Sequence, residues 1–360
     1  MNSILTYTYI LKSKFANETV GLDFLNFWYI SHSKACKEIV QELPLGILSE
    51  LVGTERMARM ILKRSMHYFL ESLFSLVKFQ IKPLVIFEES CFALKNQYAR
   101  VRRDSERQKS KDRLSTLEIN TKNEKTYRML LVRTLGFDKA LVMVEVKTTL
   151  DRLGLPWLQC ITEGEHLGAA LCREGYIVAF YSTDTDVIPL GCPFIIAKQG
   201  TEEEPEAPYF KTIQTRHALR EHGLTLDQFR EVCILSSCDF NERVKIRDKR
   251  TGKEKPLGIK TALKLIKEYG SFEAIKVDQE FIGEEKLEFE ACKRIFTVQS
   301  VEALCPDFDP TKLKLRIPRD NELEENKESM NEDERYIFIF LQTIEERNVR
   351  YILPPTVIFA

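Results

Sequence analysis

The chain has 360 residues, 44% of them apolar, enough for one large domain or two modest ones around a real core. Nine cysteines without a Cys-x-x-Cys pair and only five histidines point to neither a zinc site nor a disulfide framework, but to reduced thiols in an intracellular protein. No basic-plus-apolar N-terminal signal and no apolar run of about 18 residues occurs, which argues against secretion and a membrane span. Net charge is −1, yet residues 1–150 carry 24 basic and 16 acidic side chains, a surplus of eight, whereas 261–360 carry 14 and 21, a deficit of seven. A polyanion should therefore meet the first half.

"TVGLDFLNFWYI" reads as a short apolar strand entering a helix, with Asp23 at the junction. A long helical pattern, "TERMARMILKRSMHYFLESLFSLVKF", leads to "IKPLVIFEES", an apolar strand that ends at Glu88 and Glu89. From about 92 to 135 the chain is highly charged, almost without Gly or Pro, and helical by propensity with few apolar positions. A helix that is polar nearly all round does not pack on a core. Two readings stay open there: a solvated excursion, or a basic arm that folds around phosphate. A helix over about 138–153 ends at Gly154, and "LPWLQCITEGEHLGAALCREG" gives a strand, a turn and a helix. Thr162 and Glu165 have capping-box spacing, a structural role for Glu165; Glu163 has no such role.

"GYIVAFYSTDTDVIPLGCP" then runs from an apolar strand over 176–181 into Asp184 and Asp186. An Asp in a turn is ordinary, because its carboxylate bonds its own backbone. Two carboxylates one residue apart, just past the C-terminal end of a buried strand, also sit where α/β sheets bind ligands. Such oxygens suit Mg²⁺. "TEEEPEAP", 201–208, reads as an exposed acidic loop, and "EVCILSSCDF" as a fourth apolar strand leading to an acid, Asp239. Strands alternating with helices imply a largely parallel sheet, so the acids should meet at one sheet edge, where their repulsion favours bound metal. "LGIKTALKLIKEYG" reads as the second half of a helix-hairpin-helix, with Gly258, Lys260 and Thr261 at a phosphate; a capped amphipathic helix is the plainer alternative.

In order, these segments resemble the flap endonuclease family of structure-specific 5′ nucleases over about residues 20–320. "VGLDFLNFWY" is similar to the family's first-strand segment, "IKPLVIFE" to its KPxxVFDG, and "GLPWLQCITEGEHLGAAL" to its GIPYxxAPxEAEAxxA. "YSTDTDVIPLG" resembles TxDxDxLxFG, and "LSSCDF" resembles LxGxDY. The resemblance implies a PIN-like twisted parallel sheet flanked by helices, with a helical arch and a C-terminal helix-hairpin-helix region. Residues 1–238 would be the nuclease core, with the arch at about 90–135; 239–300 would bind duplex; 301–360 would pack on the core.

The metal ligands implied are Asp23, Glu88, Glu163, Glu165, Asp184, Asp186 and Asp239. With 54 acids in 360 residues, seven chance matches would be on the order of one in a million. Two Mg²⁺ ions, with Mn²⁺ able to substitute, would drive phosphodiester hydrolysis. Lys95 and Arg102, seven apart on one helix face, would act as catalytic phosphate contacts, and Tyr29, Arg103, Gly258, Lys260 and Thr261 would bind nucleic acid. The expected substrate is DNA with a 5′ flap or single-strand/duplex junction; an RNA-cleaving relative and a non-catalytic scaffold are the alternatives. The chain departs from the family in its "MNSILTYTYILKS" start, in Glu88 for Asp, in a longer 239–260 segment with Pro256 at the first hairpin Gly, and in having no clear sliding-clamp peptide. Residues 99–113 could serve as a nuclear signal but fit the arch more simply, leaving nucleus or cytoplasm open.

Overall fold

The computed structural model describes residues 5–199 and 208–313. The acidic loop expected at 201–208 therefore lies outside the described residues but for Pro208, as does the C-terminal segment beyond Leu313. The central sheet has seven strands: β1 (Thr8–Leu11), β2 (Thr19–Asp23), β3 (Lys82–Glu88), β4 (Trp157–Cys160), β5 (Ala179–Tyr181), β6 (Phe194–Gln199) and β7 (Tyr209–Gln214). Their spatial order is β1-β7-β6-β5-β2-β3-β4. The run from β6 to β4 is parallel, while β7 and β1 add an antiparallel edge. The N-terminal stretch thus becomes an edge strand, paired through Thr8 with Thr212.

Both faces of the parallel strands are buried, and side chains alternate between them because the strand period is two. Val20, Leu22, Val85, Phe87, Ala179 and Tyr181 join one core cluster; Leu84, Ile86, Phe180 and Ile195 join the other. Over the first face lie α1 (Phe24–Glu42), α3 (Glu55–Val77) and, further along the chain, α7 (Lys139–Leu153), with the short α2 (Leu45–Leu51) between α1 and α3. Trp28, Phe69 and Val146 are the buried anchors of those three helices. As expected, α7 ends at Gly154, which takes the left-handed conformation at φ 67°.

Between β3 and α7 the chain forms α4 (Ala93–Lys95), a π-helical turn (Asn96–Arg100), α5 (Val101–Ser115) and α6 (Glu124–Thr134). No residue of α5 is buried, in keeping with its polar circumference. α6 differs: Tyr127, Leu130 and Leu131 are buried, and Tyr127 and Leu131 join Cys36, Ile39 and Ile61 in a third cluster. The charged excursion thus buries no residue along its first helix, which packs on α6, and is anchored in the core along its second, because the apolar spacing of 127, 130 and 131 gives α6 one core-facing side.

On the second face lie α8 (Gly164–Arg173), α9 (Thr215–His222) and α10 (Leu226–Leu235). The strand expected before Asp239 is in fact α10. Its run of apolar residues is buried through Phe229, Val232, Cys233, Ile234 and Leu235, and periodicity alone does not separate a short buried helix from a strand. The longer 239–260 segment folds into a hairpin of β8 (Lys245–Asp248) and β9 (Glu254–Pro256). α11 (Ile259–Tyr269) packs on α10 but is joined to it by this hairpin rather than by a tight turn. α12 (Phe272–Asp278) leads to β10 (Gln279–Ile282), which pairs with β8, and α13 (Phe289–Ile295) and α14 (Val301–Leu304) close the described chain against α10 and α8. Among the described residues no helix is long and apolar enough to cross a membrane.

α8 lies close over β5. A Cβ added at Gly168 would stand 2.3 Å from the Phe180 ring, so no side chain fits there without moving a buried aromatic. Gly168→Ala is expected to destabilise the protein by about 1–3 kcal/mol through overpacking, read as a lower urea midpoint. Gly46→Ala in α2, where the added Cβ meets nothing within 4 Å, is the control and should be neutral or slightly stabilising.

Candidate active site

The C-terminal ends of β2, β3, β4 and β5 open toward the same place, and each delivers acids there. Asp23 ends β2 and caps α1: its Oδ1 accepts from the Asn26 amide at 3.1 Å, and its Oδ2 accepts from the Ser182 hydroxyl at 3.0 Å. Glu88 ends β3 and accepts from Lys139 Nζ at 2.6 Å. Past β4, Glu163 stands at the N-cap of α8 and Glu165 in its first turn. The capping box expected of Thr162 and Glu165 does not form, because the helix starts one residue later and Glu163 caps it without a side-chain bond. Beyond β5, Asp184 Oδ1 accepts from the Asp186 amide at 2.9 Å, so the ordinary turn role of Asp is real and coexists with its place in the cluster. Asp239 follows α10 and meets Arg103 Nη2 at 2.6 Å and Arg102 Nη2 at 3.6 Å.

These seven carboxylates form one electrostatic set. Burial raises Asp23 from 3.8 to about 7, against the bonds from Asn26 and Ser182, with Asp184 and Glu88 adding repulsion. Burial likewise pushes Glu165 well up, reinforced by the charges of Asp23, Glu163 and Asp184. Asp186 is raised by desolvation and then by Asp184 and Asp239. Glu163 is raised by burial although Lys95 Nζ donates to its Oε2 at 3.0 Å. For Lys95 itself, burial lowers the pKa but the surrounding carboxylates, Glu165 and Glu163 foremost, outweigh it and hold the ammonium above its ordinary value.

The arch stands over this cluster. A cavity of about 1320 Å³ is lined by Asp23, Glu88, Glu165 and Asp184 on one side and by Arg103, Arg107 and Arg113 of α5 on the other. Tyr29 lies on the cavity wall, 56% exposed, its ring 5.1 Å from that of Phe137. Lys95 and Arg102 both reach the acids, but the π-helical turn between them adds a residue to the helical repeat, and the closer contact to Asp239 passes from Arg102 to Arg103. Sequence reasoning missed Lys139 and Ser182. Lys139 belongs to no motif, and Ser182 lies within "YSTDTDVIPLG" without an assigned role; the fold sets them against Glu88 and Asp23. Gly258, Lys260 and Thr261 begin α11. Gly258 has an extended backbone and open space where a Cβ would stand, so nothing within the protein demands glycine there.

The donor chemistry fits divalent cations. Glu163 Oε1 and Glu165 Oε2 are buried without a hydrogen-bond partner, an expensive condition for carboxylates unless a cation completes it. Among the described residues no three His, Cys, Asp or Glu side chains are gathered tightly enough to hold an ion; the Lys95 ammonium stands beside them.

A mixed sheet whose parallel strands bring acids to their C-terminal ends under a helical arch has the PIN-like fold. Residues 154–239 match the XPG I-region. The chain is 29% identical to Flap endonuclease 1 of Ostreococcus tauri over 195 residues, 54% of this chain and 46% of that protein. Against Flap endonuclease 1 of Glycine max it is 29% identical over 210 residues, 57% and 51% of the two chains. The match thus spans about half the length of the curated relatives. In structure it is similar to flap endonuclease-1 from Methanococcus jannaschii, with a TM-score of 0.59 at 15% identity, covering 95% of this chain and 98% of that one. It is also similar to the catalytic core of Rad2 solved in complex with DNA substrate, with a TM-score of 0.58 at 15% identity over 92% and 95% of the two chains. Human GEN1, solved in complex with Holliday junction DNA, gives 0.54 at 16% identity over 96% and 78%.

Proposed function

We propose that this protein is a structure-specific 5′ nuclease that hydrolyses phosphodiester bonds in flap or branched DNA with two Mg²⁺ ions, Mn²⁺ substituting. The observation that carries the reading is the charge-linked set of seven acids, six at or past the C-terminal ends of the parallel strands and Asp239 after α10, faced by basic side chains of the arch. Asp184, Asp186 and Asp239 would hold one ion, and Asp23, Glu88, Glu163 and Glu165 the other or its waters. Bound there, the ions supply an activated water and charge stabilisation of the attacking and leaving oxygens.

The chain's own residues do the rest. Asp23 is oriented by Asn26 and Ser182, and Glu88 by Lys139, so two of the ligands are held in fixed directions before any ion arrives. Lys95, with Arg102 and Arg103, presents positive charge to the scissile phosphate and offsets what develops on it. Tyr29 offers an exposed ring for a base to stack on. The amides that start α11 at Gly258, with Lys260 and Thr261, hold a duplex phosphate, a contact that positions the substrate without reading its sequence. Residues 1–238 then act as the nuclease core and 239–300 as the duplex-holding region.

Labelled 5′-flap DNA, matched RNA and plain duplex, each incubated with Mg²⁺ or EDTA, test the reading beside Asp184→Asn. Metal-dependent cleavage of the flap by the wild type, lost in the variant, is expected. Equal inertness of both proteins on every substrate sinks it, and preferential cleavage of the RNA reassigns the substrate.

A further inference from the structure

We infer that the β8–β9 hairpin is a second clamp on the substrate, gripping the phosphodiester backbone of the duplex beyond the start of α11; this rests on the nuclease reading above. From Arg243 to Pro256 the chain carries seven basic and two acidic residues, a surplus of five in a protein of net charge −1. Several of these charges are already engaged. Asp248 Oδ1 accepts from the Arg250 and Thr251 amides at 2.9 and 2.8 Å and closes the turn, and Glu254 accepts from Arg247 Nη2 at 2.6 Å. Lys249 Nζ donates to the carbonyls of Lys276 and Val277 at 2.6 and 3.1 Å. Arg243, Lys245, Arg250, Lys253 and Lys255 remain exposed, and among the described residues none of them makes a salt bridge.

Like charges gathered on one ribbon repel one another and find a favourable partner in a polyanion. The ribbon is also stiff. Ile246 and Leu257 are fully buried beneath it, β10 pairs along β8, and the Leu257 amide donates to Val244 O at 3.0 Å. β9 leads through Leu257 directly into Gly258 and α11, whose exposed side carries Lys260, Lys264 and Lys267 at helical spacing. Gly258 stands six residues on from the Gly252 turn, so at about 3.3 Å per residue the tip reaches on the order of 20 Å from the helix start. That is the axial length of about six base pairs.

Anisotropy titrations of the whole protein in EDTA test this on flap DNA with a short duplex arm and with an arm about six base pairs longer. Arg250→Ala/Lys253→Ala/Lys255→Ala removes three contacts, which should make the slope of log affinity against log salt shallower by about 2.7 on the long arm only. The wild type then loses about fortyfold more affinity than the variant between about 50 and 200 mM salt. Lys253→Arg/Lys255→Arg should keep the wild-type slope, and matching thermal melts exclude misfolding. Duplex binding with an unchanged slope, or an equal change on both arms, overturns the clamp and leaves the nuclease reading standing. A wild type that binds no duplex at all overturns both.

Discussion

Asp23→Asn is expected to stabilise the metal-free protein by on the order of 4 kcal/mol above pH 7 while abolishing cleavage. The size follows from the rise of this carboxyl from 3.8 to about 7, at about 1.4 kcal/mol per pH unit. The sign follows from proton binding. Between about pH 4 and 7 the unfolded chain has released the proton that the folded protein still holds, so wild-type stability falls as pH rises through that window. Asparagine has no charge to bury and remains a good N-cap for α1. The stability difference between the two proteins in EDTA should therefore be near zero at pH 4, grow through pH 7 and then level off. Comparing the pair also removes the opposite trend of His32 and His166. Burial lowers each of these to about 4, so the stability they contribute is present above pH 6.5 and lost as pH falls toward 4. Saturating Mg²⁺ should stabilise the wild type more than the variant. A variant no more stable than wild type at pH 8 in EDTA would remove the claim that the acids are held together against their repulsion.

Lys95→Met is the second large effect. It takes away the cation nearest Glu163 and leaves that carboxylate buried with both oxygens unpartnered. Breaking a buried pair in this way costs about 3–5 kcal/mol, and adding Glu163→Gln should recover much of it. Under the proposed mechanism, cleavage at saturating substrate falls about 10²–10³-fold, the range seen when one preorganised charge partner of a transition state is removed. The two readouts separate the roles. An unchanged turnover number together with a lowered melting temperature would make Lys95 a structural counter-ion and nothing more.

The inserted hairpin and the arch show how differently two charged segments are used. In α5 the basic side chains turn toward the acids, through Arg102 and Arg103 to Asp239. In the hairpin they turn outward from an apolar floor formed by Ile246 and Leu257.

Much of the site was legible in one dimension. Asp23, Glu88 and Asp184 could be read because a run of apolar residues that stops at an acid marks a buried strand end, and parallel strands point those ends the same way. The registers Asp23 to Ile86 and Glu88 to Cys160 keep that promise. Asp239 joins the acid cluster although its supporting element is α10 rather than a strand, since its position after a buried apolar run is the same in either case. The capping-box spacing of Thr162 and Glu165 misled, because spacing fixes what a helix start could do and not where the helix starts. Local patterning thus determined the strands that end at Asp23 and Glu88 and the strand before Asp184, for those depend on a handful of neighbouring residues, but not α10, whose short buried apolar run fits a strand equally well. The partners Lys139, Ser182 and Arg103, the one-residue slip of the π-helical turn and the β-hairpin between α10 and α11 came from the assembled fold alone. The three side-chain partnerships depend on segments tens to more than a hundred residues apart meeting in space, and no period in the chain records that meeting.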